Sequence, residues 1–165
     1  MSTANQVTHL ARIFHQNNAP FNDQSLFYAT YSAIPNKSTS FKLERFIEKI
    51  KKESKEQDNR ISCNGSNLEL TFGSTLRTIS KVCHVIIHVL EIVDLSQARY
   101  ETYKFQAKYI SQNENIFLLY DAQNTHFDEL YITVATDTKS RRVEYSGNDD
   151  LKSMFDQFFQ STSIF

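Results

Sequence analysis

Cysteine, glycine and proline are scarce in this sequence, and tryptophan is absent. Two cysteines, three glycines and two prolines occur among 165 residues. So little glycine and proline excludes collagen-like and low-complexity chains, and the length predicts one domain with its own core. The chain also lacks a run of about 18 apolar residues, which a membrane helix needs, and it lacks a basic and then apolar N-terminal signal. The sequence therefore predicts an intracellular protein that is neither secreted nor inserted in a membrane.

A large excess of one charge is missing as well. The formal net charge is -1 and the sequence pI is about 6.5. A strong, independent nucleic-acid binder usually carries a clear basic excess. Any contact with nucleic acid is therefore expected to be local, or to be shared with a partner that supplies most of the affinity.

Recognisable catalytic and metal-binding motifs are also lacking. The chain contains neither a G-x-S-x-G elbow nor a glycine-rich phosphate loop. Cys63 and Cys83 are too few for a zinc site, which needs about four ligands, and no HExxH pattern surrounds His84 and His88. The sequence therefore predicts a binding protein that is not an enzyme, with no catalytic residue, metal or cofactor. A small hydrolase or transferase with an unrecognised site is kept as an alternative hypothesis.

Hydrophobic periodicity divides the chain into three parts. Residues 1–59 are polar and have apolar positions at helical spacing, notably within 3–17 and 43–50. Residues 60–147 are rich in alternating and β-branched segments, which predict strands at 68–72, in 75–93 and from Tyr100 onward. Residues 148–165 predict one closing helix. Together these features predict a five-stranded antiparallel barrel of the OB type with a C-terminal helix (60–165), preceded by a helical extension (1–59).

One face of the strand that begins at Tyr100 is a candidate nucleic-acid surface. Aromatic and cationic side chains alternate along it, so a ring could stack on a base while lysines follow the phosphates of a single strand. We expect Arg77 and Lys81 to add charge from a neighbouring strand. The predicted contact residues are Tyr100, Lys104, Lys108, Arg77 and Lys81. The alternative is an ordinary solvated sheet face.

The closing helix carries a strongly apolar face. Its members follow the i, i+3, i+4, i+7, i+8 pattern, and they are Leu151, Met154, Phe155, Phe158 and Phe159. This face either closes the barrel or packs on a partner, and the number of aromatic rings favours a partner.

A short run near the middle of the chain resembles a known family. The residues Gly73-Ser74-Thr75-Leu76-Arg77-Thr78, followed by Lys81-Val82-Cys83, resemble the first barrel strand of the smallest subunit of the CST telomere complex. That subunit is a single OB fold related to the small subunit of replication protein A. The resemblance implies a nuclear protein at chromosome ends that pairs with the middle, OB-fold CST subunit through its C-terminal helix.

The same resemblance implies a concrete role. The chain would be a non-catalytic accessory subunit of a complex that binds single-stranded telomeric DNA and supports C-strand synthesis. The wider partners would be the large CST subunit, polymerase alpha–primase and, in some lineages, telomerase. The alternative hypothesis is a protein–protein adaptor, effector or assembly chaperone with another α/β fold and no DNA role.

Overall fold

The centre of the molecule is a six-stranded mixed sheet with helices on both faces. The computed structural model describes residues 12–35, 37–54, 68–107, 114–135, 140–147 and 149–161. The strands are β1 (Arg12–Asn17), β2 (Val85–Asp94), β3 (Arg99–Phe105), β4 (Glu114–Asp121), β5 (His126–Ala135) and β6 (Ser140–Val143). The helices are α1 (Ser25–Ala33), α2 (Leu43–Glu53), α3 (Leu68–Cys83) and α4 (Leu151–Ser161), and a short 3-10 turn spans Leu95–Gln97. Across these ranges, no helix has the length and apolar character needed to cross a membrane.

The strand order corrects the predicted barrel. The order is β1-β5-β4-β2-β3, with β6 also paired to β5. Strands β2 and β4 are parallel, whereas the other pairs are antiparallel. The described strands thus form an open mixed sheet and not a closed, all-antiparallel barrel, although a β-rich core with flanking helices is confirmed. The physical reason lies in β2, which is buried on both faces over most of its length, as is typical of a central parallel strand.

Each face of the sheet has its own apolar core. Helices α1, α2 and α3 cover one face, where Leu26, Phe46 and Leu76 pack on β2 and β4. Helix α4 covers the other face, where its phenylalanines pack on Phe14 and Phe117. Burial of apolar surface on both sides of one sheet stabilises a three-layer arrangement.

Helix α3 replaces the strands predicted for residues 68–83. Leu68, Leu76 and Ile79 are buried on one helical face. The alternation of apolar and polar residues at 68–72, which predicted a strand, is too short to distinguish a strand from a helix. Gly73 is buried inside this helix, and a Cβ there would lie 2.5 Å from Oε2 of Glu69. The Glu69 carboxylate pairs with Arg77 across that position. The run 73–78 is therefore helical and is not the first strand of a barrel.

The junction between α3 and β2 is sharp. His84 has φ 58°, in the left-handed region, and β2 begins at the next residue. A single left-handed residue ends a helix and redirects the chain. The segment 75–93, predicted to be strand, therefore divides into the end of α3 and the strand β2.

The first strand also differs from the prediction. A helix was predicted for 3–17, but Arg12–Asn17 is strand β1, which pairs with β5 so that Phe14 lies opposite Ile132. Residues 3–11 of that predicted helix lie outside the described residues, as does Cys63. Strand β1 and helix α1 both belong to the sheet layers, while the division into 1–59 and 60–165 stays a prediction.

The closing helix is confirmed. Asp150 caps it, because its carboxylate accepts hydrogen bonds from the backbone N–H of Ser153 at 3.2 Å and from its hydroxyl at 2.9 Å. The preceding loop is tied to the same region, since the N–H of Ser146 donates to Asp149. These contacts place the apolar face of α4 on the sheet.

Candidate catalytic site

A buried serine and a buried histidine lie at the starts of α1 and β5, two elements that pack on each other. Ser25 is the first residue of α1 and His126 is the first residue of β5. The backbone N–H of Phe127 donates a hydrogen bond to Ser25 Oγ at 3.0 Å. Ser25 and His126 are each only 2% exposed. The Ser25 hydroxyl is therefore bonded to the backbone of the residue that follows His126, and both side chains are protected from water.

An aspartate orients this imidazole. His126 Nε2 lies 2.9 Å from Asp128 Oδ1, and both side chains are buried. The two residues share a strand face because side chains two positions apart point to the same side of a sheet. Asp128 also accepts from the N–H of Ala19 at 2.6 Å and from Gln16 Nε2 at 2.8 Å. Because Asp128 is an acceptor from several donors, the proton of a neutral His126 resides on Nε2.

The other imidazole nitrogen has no partner. Nδ1 of His126 is buried and makes no hydrogen bond. Leaving a buried polar atom unpaired costs about 1–3 kcal/mol, so such an atom in a folded protein calls for an explanation. With the proton on Nε2, Nδ1 carries a free lone pair, which is what a general base needs.

The start of α1 adds positive potential at Ser25. A helix leaves its first N–H groups without intrahelical partners, and its dipole favours negative charge there. No side chain caps this end of α1, and no acidic residue lies in its first turn. These N–H groups are suited to stabilise negative charge that develops beside Ser25.

Together, the three side chains have the composition of a nucleophilic triad. Ser25 supplies a hydroxyl, His126 an available base and Asp128 the carboxylate that orients the base. This arrangement is suited to acyl transfer, in which a serine attacks a carbonyl carbon.

Comparison with known proteins identifies a solved structure with a similar fold. No protein-family model matches the chain, and neither does any curated protein. Among solved structures, an ovarian tumor (OTU) domain in complex with ubiquitin matches 90% of this chain and 86% of its own, with a TM-score of 0.53 and 13% sequence identity. The fold of this chain is similar to that of an OTU domain. At this identity the likeness concerns the fold alone.

The prediction that the chain is not an enzyme is therefore wrong. It depended on the absence of linear catalytic motifs, whereas the fold is similar to that of an OTU domain, a deubiquitinase family. The physical reason for the error is that a fold brings distant residues together without a linear motif, as in the hydrogen bond from the N–H of Phe127 to Ser25, 102 positions away.

The structure separates the predicted nucleic-acid residues. Lys104 is exposed on β3, but the ring of Tyr100 packs against Phe155 and Phe159 and its hydroxyl donates to Asp156. Tyr100 is thus covered by α4 and is not an open stacking platform.

The remaining cations of that group lie elsewhere. Arg77 and Lys81 lie on α3, which packs on the opposite face of the sheet, and Arg77 is paired with Glu69. Lys108 lies outside the described residues.

The apolar face of α4 is occupied by the protein itself. Phe155 and Phe158 are buried against the sheet together with Phe14 and Phe117. Met154 and Phe159 are equally buried, and Leu151 packs at the margin of the same cluster. The face predicted to receive a partner is therefore filled by the core in this conformation.

Neither of the paired histidines noted in the sequence forms a metal site. His88 Nε2 lies 2.8 Å from Asn115 Oδ1, and the His88 ring stacks on Phe117, while His84 is exposed at the α3–β2 junction. Among the described residues, no group of three or more metal-ligating side chains is present.

Proposed function

We propose that this protein is an acyl hydrolase in which Ser25 is the nucleophile, His126 is the general base and Asp128 orients the base. The observation that carries the proposal is the unpaired, buried Nδ1 of His126, whose Nε2 is paired with Asp128, one residue before the Phe127 N–H that donates to Ser25 Oγ. An unused lone pair in that position is costly to a structural histidine and necessary for a catalytic one.

The chemistry follows from the geometry. Nδ1 of His126 takes the hydroxyl proton of Ser25 as Oγ bonds to the carbonyl carbon of the substrate. The carbonyl oxygen gains negative charge, which the N–H groups at the start of α1 stabilise. The imidazolium then donates its proton to the leaving group as the bond to that group breaks. Water next attacks the acyl-enzyme with His126 as base, which releases the acid and restores Ser25.

The fold similarity supports a class of substrate. The OTU domain with a similar fold was solved in complex with ubiquitin. We therefore propose that the acyl group is the C-terminal carboxyl of ubiquitin or of a ubiquitin-like protein, joined to an amine or an alcohol.

The test is hydrolysis of ubiquitin that carries a fluorogenic amine on its C-terminal carboxyl. We expect the purified chain to release the fluorophore and Ser25→Ala to lose the activity, because the bond-forming oxygen is removed. Asp128→Asn is expected to retain the fold and lower the rate at least about 100-fold, since the imidazole loses its orienting carboxylate. Ser25→Cys places a more nucleophilic group beside the same base, so it is expected to remain active and to react with thiol-directed ubiquitin probes.

A matched control is Ser153→Ala, which removes a hydroxyl at the start of α4, on the other face of the sheet. Its rate should equal that of the unmodified chain. Equal rates for Ser25→Ala and Ser153→Ala would refute the assignment of Ser25, as would a chain inactive both with serine and with cysteine at position 25.

The role inferred from the CST resemblance stays a separate prediction. It needs pairing with a second OB-fold subunit, single-stranded DNA contact and a telomeric location. Exposed Lys104 on the edge strand β3 is one described residue available for such a contact. Co-purification of the tagged chain with CST or primase components would support this role, and their absence would count against it.

A further inference from the structure

We propose that Phe21 is the gate of this site, and that its ring must leave His126 before a substrate reaches Ser25. This inference rests on the proposed hydrolase function and assigns the residue that decides which acyl donors enter. Its basis is a direct ring contact: the centroids of Phe21 and His126 lie 3.9 Å apart, with the planes only 9° from parallel.

The catalytic pair is closed in this conformation. Ser25 and His126 are almost fully buried, so a carbonyl group cannot reach Oγ and Nδ1 together without a rearrangement. Phe21 covers one side of the imidazole, yet its own side chain is 71% exposed, the highest value for a large apolar residue in the described part of the chain. Its outer face is therefore in water while its inner face lies on the base.

The loop that carries Phe21 is tied down at both ends and free in the middle. At one end the N–H of Ala19 donates to Asp128, and at the other Ser25 accepts from the N–H of Phe127. Between these anchors the hydrogen bonds stay inside the loop, from the N–H of Asn22 to the carbonyl of Pro20 and from the N–H of Ser25 to the carbonyl of Asn22. The ring can swing outward without breaking any of these bonds.

The magnitude of the contact suits a gate. A stacked aromatic pair is weak, so the closed position is favoured over the open one by about two- to tenfold. A protein substrate brings enough binding energy from remote contacts to displace the ring, whereas a small ester or alkylating agent does not. Phe21 thus selects large acyl donors over small ones.

The experiment measures how fast iodoacetamide alkylates residue 25 in Ser25→Cys, with and without Phe21→Ala. We expect alkylation to be about two- to tenfold faster when the ring is removed. Ser25→Cys with Phe21→Trp keeps a flat ring over His126 and should react as slowly as Ser25→Cys alone. Peptide mass spectrometry follows each cysteine separately, and Cys83 is the internal reference because burial raises the pKa of its thiol to about 11.

The control for surface effects is Leu95→Ala, which removes another exposed apolar side chain, in the turn after β2, and should leave the rate unchanged. Equal or slower alkylation in Phe21→Ala would overturn the gate even if Ser25-dependent hydrolysis is intact. A different outcome separates the two proposals. If Phe21→Ala speeds alkylation but the chain hydrolyses no ubiquitin conjugate with either serine or cysteine at position 25, the hydrolase function is refuted, whereas the role of Phe21 in controlling access to residue 25 is supported. If the chain is an active hydrolase, Phe21→Ala should also lower the ratio of the hydrolysis rate of the ubiquitin substrate to that of a small ester. The expected decrease is the same factor, about two- to tenfold.

Discussion

His88 and His126 both lie on strands of the sheet, but their hydrogen-bond partners differ in charge. Each lies on a strand of the same sheet and each has one ring nitrogen in a hydrogen bond, His88 with Asn115 and His126 with Asp128. An amide is a neutral partner, whereas a carboxylate stabilises the positive charge that an imidazole acquires when it takes up a proton. The carboxylate and the unpaired Nδ1 of His126 are what the proposed role as base requires, whereas His88 has a neutral partner and stacks on Phe117.

His88 makes a testable contribution to stability. Burial lowers the pKa of His88, an effect that the hydrogen bond to Asn115 opposes and the charge of Lys104 reinforces. Above the unfolded-state pKa of about 6.5, both states carry a neutral imidazole. As the pH falls below that value, the unfolded chain takes up a proton that the folded chain still refuses, so the free energy of unfolding decreases until the folded pKa is reached.

We therefore expect His88→Gln to reduce the loss of stability between about pH 7.5 and about pH 5. The measurement is urea denaturation of both chains at the two pH values. An identical loss in the variant and the unmodified chain would show that other groups cause the acid sensitivity.

At the scale of elements, the sequence was most informative where periodicity was long and clear. The five apolar positions of α4 and the alternation of β3 were both found as predicted. The secondary-structure prediction was wrong within residues 68–93, where helix α3 is followed directly by strand β2 in one apolar segment. β-branched residues suit strands locally, but α3 buries its apolar face against α2 and the sheet, and this burial decides its state.

The site could not be predicted in the same way. The sequence shows His126 and Asp128 two residues apart, which is a common spacing on any strand. Ser25 gives no local signal, because no G-x-S-x-G motif surrounds it. Only the packing of α1 on β5 brings the Ser25 hydroxyl to the strand that carries His126 and Asp128, and sequence periodicity does not reveal that packing.

Helix α4 gives a prediction of its own. Phe158 is 3% exposed and packs with the second core, so Phe158→Ala should lower the free energy of unfolding by about 3–5 kcal/mol. The same substitution at exposed Phe21 is the matched control and should change stability by less than about 0.5 kcal/mol beyond its ring contact. Both are measured by chemical denaturation, and equal effects would mean that α4 is not part of the core in solution.

At the scale of the whole molecule, the N-terminal third completes the sheet. Strand β1 covers one edge of β5, and α1 supplies Leu26 and Ala29 to the first core. Without them, residues 129–134 of β5 would lose the strand that pairs with them on one side, and β5 would lose the helix that packs on it.

A fragment of residues 60–165 is therefore expected not to fold by itself. It lacks Phe14 in one core and Phe46 and Ile50 in the other, and unsatisfied sheet edges favour aggregation. Urea denaturation followed by circular dichroism should show no cooperative transition for the fragment. A cooperative transition would instead support the division at residue 59.

The hydroxyl of Ser25 has a chemical consequence of another kind. Peroxide converts a reactive thiolate to sulfenic acid and then to irreversible acids, and a serine oxygen has no such series. A hydrolase built on Ser25 would keep working under oxidative stress, whereas its Ser25→Cys variant would be silenced by the same exposure.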